Sequence, residues 1–121
     1  MTGDRLAVCR LAADDEIPQW ALTGVGFASV TRTADELSLV CAASAVPQGI
    51  QCEQGWRLFR IEGPLDFTLT GILASVAQPL AEAGISIFTI STYDTDYVMV
   101  KEQDVEKAVH ALTAAGHRVD R

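Results

Sequence analysis

The chain is short of basic residues, of paired cysteines and of long apolar runs, and each shortage removes a class of function. Nine Lys and Arg stand against sixteen Asp and Glu in 121 residues, a formal net charge of −7. With no basic cluster to offset that charge, neither nucleic acid nor an anionic membrane surface is an expected partner. Cys9, Cys41 and Cys52 are odd in number and form no Cys-x-x-Cys pair. That argues against a disulfide framework and fits a reducing cytoplasm. No stretch of about eighteen apolar residues is free of charge, and no basic segment followed by an apolar run opens the chain, so a soluble protein without signal peptide or membrane anchor is expected.

Catalytic chemistry is equally sparse. Gly24-Val25-Gly26-Phe27-Ala28-Ser29 begins like a Gly-x-Gly phosphate loop, but Ser29 stands where the third glycine belongs and the segment leads into a strand. His110 and His117 have no Glu-x-x-His or Cys partner pattern and read as surface residues rather than metal ligands. The three cysteines read as small buried apolar side chains, and Trp20 and Trp56 as core or interface anchors. With no recognisable nucleophile or acid/base pair, neither an enzyme nor a cofactor is expected.

What the chain does have is a segment, Gly55 to Lys101, whose periodicity changes four times. Phe59 and Ile61 alternate with Arg60 and Glu62, the period of a strand buried on one face, and Gly63-Pro64 stops it. Leu69, Ile72, Leu73, Val76, Leu80 and Ala83 then mark one stripe of a helix that Gly84 closes. Pro79 lies inside it and predicts a bend near Ser75. A second alternation passes Ile85 and Ile87, turns at Tyr93-Asp94-Thr95-Asp96 and returns through Tyr97 and Met99. Asp104 is placed to cap a further helix with the stripe Val105, Ala108, Val109, Leu112 and Ala115, ended by Gly116. His117-Arg118-Val119-Asp120 is left as a last, short strand.

The first half holds a fainter version of the same plan. Arg5–Leu11 is a strand candidate, and Ala13-Asp14-Asp15-Glu16-Ile17-Pro18 predicts a helical turn capped by Asp14 or Asp15. Phe27–Thr31, the turn Thr33-Ala34-Asp35-Glu36 and the run Leu37, Leu39, Cys41 predict a hairpin, and 42–54 an irregular connection. Slid along the second half, Val30 falls on Ile90, Leu37 on Tyr97 and Leu39 on Met99, whereas Leu6 meets Leu58 only at a shorter offset. The difference is about eight residues, roughly two helical turns, so the first copy keeps its strands and loses most of its first helix, leaving a stub around Ile17 to Trp20. The expected plan is α+β: a degenerate unit over 1–54 and a complete β-α-β-β-α-β, ferredoxin-like unit over 55–121.

The run from Trp56 to Leu112, with Leu80-Ala81-Glu82-Ala83-Gly84-Ile85-Ser86-Ile87 at its helix-to-strand junction, resembles an ACT domain. Glu62-Gly63-Pro64-Leu65-Asp66-Phe67 with Ile90-Ser91-Thr92-Tyr93-Asp94-Thr95-Asp96-Tyr97 is similar to the tandem-ACT proteins of bacteria related to the animal CASTOR arginine sensors. The resemblance implies a regulatory module that binds a free amino acid and dimerises. The residues themselves offer a matching place. Gly63, Pro64, Leu65, Asp66, Phe67 and Thr68 pass from strand to helix, where free backbone N–H groups suit a carboxylate. Ser91, Thr92, Asp94, Thr95 and Asp96 supply oxygens for an ammonium. Asp66, Thr68, Asp94 and Asp96 are also ordinary cap and turn residues, and a purely structural dimerisation module remains the alternative. The acidic balance tilts the ligand towards arginine or lysine.

Overall fold

RLAVCRL is apolar from Leu6 to Cys9, and Leu6, Ala7 and Cys9 are sealed from solvent while Arg5 and Arg10 near its ends are exposed. In the structure, a computed structural model that describes residues 1–24, 26–62 and 71–121, this run is β1 (Arg5–Leu11). The chain divides into two compact units, Asp4–Trp56 and Arg57–Arg121 with Met1–Gly3.

The Asp4–Trp56 unit contains β1, β2 (Ser29–Arg32), β3 (Leu37–Ala42) and the first residues of β4 (Cys52–Arg60), in the order β2-β3-β1-β4. β1 and β3 run antiparallel from Leu6↔Ala42 to Leu11↔Leu37. The even spacing of Leu37, Leu39 and Cys41 puts all three into one cluster with Ala7, Cys9 and Ala21. β4 begins within the stretch expected to be irregular, with the Arg10 N–H donating to Gln51 O at 2.9 Å just before it. The acidic run forms a tight turn instead of a capped helix. Ala12 N–H donates to Asp15 Oδ2 at 3.1 Å and Asp15 N–H to Ala12 O at 3.0 Å, while Arg32 fastens the carbonyls of Ala13 and Asp15. The helical turn comes later, as a 3-10 turn over Gln19–Ala21 entered from Pro18 with no side-chain cap.

In the other unit the end of β4 joins β6 (Asp96–Lys101) and β5 (Ile87–Ser91) in the order β4-β6-β5, with α1 (Ile72–Glu82) and α2 (Val105–Ala114). Val76 and Leu80 of α1, Val105, Ala108 and Leu112 of α2, and Phe59, Val98 and Val100 of the strands form one cluster. Each fully buried Leu or Val there is worth about 1.5–3 kcal/mol. Both helices end in the same way. Gly84 (φ +75) and Gly116 (φ +95) take the left-handed conformation that an L side chain resists. Their N–H groups donate to Ala81 O and Thr113 O, and the next residues, Ile85 and His117, donate to Leu80 O and Leu112 O, all at 3.0 Å. Asp104 does occupy the N-cap of α2, after a 3-10 turn over Glu102–Asp104, but its side chain makes no capping hydrogen bond.

The short strand expected at His117–Asp120 does not form. The β4 backbone it would need is engaged by the start of the chain, whose Thr2 N–H donates to Leu58 O at 2.9 Å. The Met1 ammonium in turn meets Asp120 O.

Pro79 sits inside α1 and has no N–H for the carbonyl of Ser75, four residues back. His117 supplies the missing donor: its Nε2 lies 2.8 Å from Ser75 O, which fixes the proton on Nε2. The imidazole expected on the surface is thus half-buried and structural. His117→Ala is therefore expected to cost about 1 kcal/mol in urea unfolding. In a Pro79→Ala background, where position 79 regains its N–H, that cost is expected to fall below about 0.5 kcal/mol. Equal costs in both backgrounds would break the link.

Candidate functional site

The β5–β6 hairpin, paired from Ile87↔Val100 to Ser91↔Asp96, carries five of the residues singled out from sequence. Its turn is tied by its own side chains. Thr92 N–H donates to Thr95 O at 2.8 Å, Thr92 Oγ1 donates to the same carbonyl at 3.1 Å, and Thr95 N–H returns to Thr92 Oγ1 at 3.2 Å. Ser91 Oγ donates to Asp96 Oδ1. Thr95 is buried. Four of the five polar residues are thus occupied in holding the turn. Asp94 differs: it is exposed at the tip, and its carboxylate takes no hydrogen bond among the described residues. The other half of the expected site, Gly63, Pro64, Leu65, Asp66, Phe67 and Thr68, lies outside the described residues.

The β2–β3 turn is built on the same scheme. Thr33 N–H donates to Glu36 O at 2.9 Å, and Thr33 Oγ1 accepts from the N–H groups of Asp35 and Glu36 at 3.1 and 3.2 Å. Aligning turn on turn matches Thr33 with Thr92 and Leu39 with Val98, one residue away from the sequence alignment that set Leu39 on Met99. The shift matters because one residue exchanges the faces of a strand. Leu39 and Val98 both lie in their unit's cluster.

A feature that sequence spacing did not suggest is a cavity of about 240 Å³ in the Arg57–Arg121 unit. Phe59, Ile61, Val76, Leu112 and Val119 give it apolar walls, and Arg60, Glu62, His117, Arg118 and Asp120 bring charge and polarity to it. Arg118 Nε pairs with Asp120 Oδ1 at 3.3 Å, and His117 is held to Ser75. The nearest sequence signal was the polar half of the β4 alternation, Arg60 and Glu62. Ile61 N–H donates to Asp96 O at 2.9 Å, which ties this end of the chain segment to the turn end of the hairpin.

The two buried thiols, Cys9 and Cys41, do not compete as a site. Burial pushes Cys9 up to about 12, helped by Cys41 and Cys52, and burial likewise raises Cys41. A thiol held protonated at neutral pH is a poor nucleophile. Among the described residues no group of three or more His, Cys, Asp or Glu is placed to hold a metal ion, and no helix is long and apolar enough to cross a membrane.

Comparison with known proteins bears on this geometry. A family model described as ACT domain matches residues 51–114, and a model of an N-terminal domain matches residues 4–49. The human cytosolic arginine sensor for mTORC1 subunit 1 is 43% identical over 58 residues, which are 47% of this chain and 18% of that protein. The chain thus matches under a fifth of the length of this curated relative. A crystal structure of a protein from Agrobacterium tumefaciens is 41% identical, with a TM-score of 0.88 over 98% of this chain and 92% of that one. The ligand-free regulatory subunit of aspartate kinase from Thermus thermophilus, 14% identical, aligns with a TM-score of 0.66 over 94% of each chain and shares the fold.

The hairpin geometry makes one role testable at once. Thr92→Val keeps the side-chain shape and removes the hydroxyl that both donates and accepts across the turn. It is expected to cost about 1 kcal/mol and to speed amide exchange at Thr95. Unchanged exchange would mean that the backbone alone sets the turn.

Proposed function

The chain belongs to the ACT domain family, whose members are small-molecule-binding regulatory modules of α+β fold, and from that premise we propose that it is a non-catalytic sensor of a free amino acid. The observation that carries the proposal is the hairpin tip. Ser91, Thr92, Thr95 and Asp96 are committed to the turn, which leaves the Asp94 carboxylate exposed and without a partner among the described residues. A ligand ammonium is the natural complement of such a carboxylate. In this reading the ligand carboxylate meets the backbone N–H groups of Gly63 to Thr68 ahead of α1. The relative whose name describes an arginine sensor, together with the acidic net charge, favours a cationic amino acid.

A sensor without chemistry of its own must signal by altered contacts. The proposal accordingly includes a second copy of the chain as partner, a cytoplasmic location, and no cofactor. The helix-poor unit Asp4–Trp56 is read as a degenerate copy of the complete one, contributing surface rather than a site.

Thermal melts in the presence of each of the twenty amino acids test the reading. A binder at about a hundredfold excess over its Kd adds roughly 2.7 kcal/mol, enough to raise the Tm of a domain this size by several degrees. Asp94→Asn is expected to leave the ligand-free stability within about 0.5 kcal/mol. It should weaken binding by about 1.5–3 kcal/mol, one to two decades in Kd. A flat response to every amino acid, or full affinity in Asp94→Asn, would refute the site.

A further inference from the structure

The three cysteines converge on one face of the Asp4–Trp56 sheet. β1 lies between β3 and β4, and each of these strands brings one thiol: Cys41 on β3, Cys9 on β1 and Cys52 at the start of β4. Cys9 and Cys41 are sealed inside the cluster and are poor nucleophiles by themselves, whereas Cys52 packs against the cluster half-buried and keeps access to solvent. The thiols act on one another, since Cys41 and Cys52 both add to the burial that pushes Cys9 up to about 12.

Strand geometry favours one bond among the three. A disulfide needs Cα atoms about 4.4–6.8 Å apart and Cβ atoms about 3.5–4.5 Å apart. Cys41 and Cys52 are separated by two strand spacings, about 9–10 Å, with β1 between them. Cys9 faces Leu39 and Cys41 faces Ala7, so Cys9 and Cys41 are diagonal neighbours at about 7–8 Å. Arg10 N–H donates to Gln51 O at 2.9 Å, and that bond draws the adjoining residues, Cys9 and Cys52, together on neighbouring strands about 4.8 Å apart.

We propose that Cys52 and Cys9 form an oxidation site, at which a hydroperoxide converts the two thiols reversibly into a disulfide. Cys52 reacts first, because it is the thiol that solvent reaches. Its sulfur attacks a peroxide oxygen and the O–O bond breaks. The hydroperoxide is reduced to an alcohol, or to water where it is hydrogen peroxide, and Cys52 becomes a sulfenic acid. The Cys9 sulfur then attacks the Cys52 sulfur: the S–S bond forms, the S–O bond breaks, and hydroxide leaves with the Cys9 proton as water. A thiol as hard to ionise as Cys9 is inert towards oxidants in solution, but here its target is held beside it, and proximity makes up for weak nucleophilicity. The bond closes the loop between β1 and β4 that contains the β2–β3 hairpin. It is a transient cross-link of the kind compatible with a reducing compartment, and it does not rest on what binds at the 91–96 turn.

Hydrogen peroxide added to the folded full chain, followed by alkylation in denaturant and peptide mass mapping, tests the proposal. The expected product is a monomer in which Cys9 is joined to Cys52 and Cys41 is alkylated, and dithiothreitol should restore all three thiols. Cys52→Ser, a change at a half-buried position, should leave Cys9 and Cys41 reduced under the same treatment. In Cys9→Ala the reaction should stop at a Cys52 sulfenic acid, which dimedone traps, whereas Cys41→Ala should leave the Cys9–Cys52 bond forming at an unchanged rate. Should either buried-site variant fail to fold, the map of the unaltered chain decides alone. A bond through Cys41, a disulfide-linked dimer, Cys52 carried on to a sulfinic acid with Cys9 still free, or thiols that peroxide leaves intact would each overturn the site.

Discussion

Two short helices, each apolar along one stripe only, need a sheet face to cover them, and this requirement organises the Arg57–Arg121 unit. α1 and α2 have eleven and ten residues, too few to be stable alone in water. Burial of Val76, Leu80, Ala108 and Leu112 with Phe59, Val98 and Val100 is what holds them. Once the stripes are down, the glycines decide where the chain goes. Gly84 and Gly116 end the helices with the same pair of hydrogen bonds, and Ile85 re-enters the cluster directly after the first of them. Polar residues are then left at the ends of elements. Those ends are the hairpin tip and the border of the cavity.

Much of this plan was legible in the sequence, because it rests on local periodicity. The apolar run in Arg5–Leu11 and the alternation in Leu37–Cys41 marked strands to within a residue, and the spacing of Leu73, Val76 and Leu80 marked the buried side of α1. What was lost depended on partners far apart in the chain. The last strand was expected from the ferredoxin-like plan, yet Thr2 engages β4 at Leu58, and nothing near residue 117 signals that. His117 looked like a surface residue because its partner is the carbonyl of Ser75, exposed to need only by Pro79. The sequence alignment of the two halves and the geometry of their two turns differ by one residue. Similar side chains at Leu39 and Met99 outweighed the turns, whose side-chain hydrogen bonds are invisible in one dimension and equate Leu39 with Val98.

The candidate site divides in the same manner. That Ser91 to Asp96 forms a polar hairpin tip could be read directly, but which of its oxygens were already in use could not. Only hydrogen-bond geometry separates Thr92 and Asp96, occupied in the turn, from Asp94. The cavity was hidden for a further reason. Phe59, Val76, Leu112 and Val119 share no spacing, and their convergence is a property of packing alone. Charge offers a related caution, since a net −7 says little about a border where Arg60 and Glu62 lie together.

The central claim is that ligand recognition belongs to the unit with the complete helical layer, while the helix-poor unit has none of its own. Backbone 1H–15N spectra of the full chain, recorded with increasing concentrations of a stabilising amino acid, address it most directly. The account predicts saturable shifts concentrated on the last residues of β4, from Arg57 on, and on the 91–96 turn, with the signals of Asp4–Arg32 unmoved. Saturable shifts centred on β1 and on the turn after Thr33, with 91–96 silent, would contradict it.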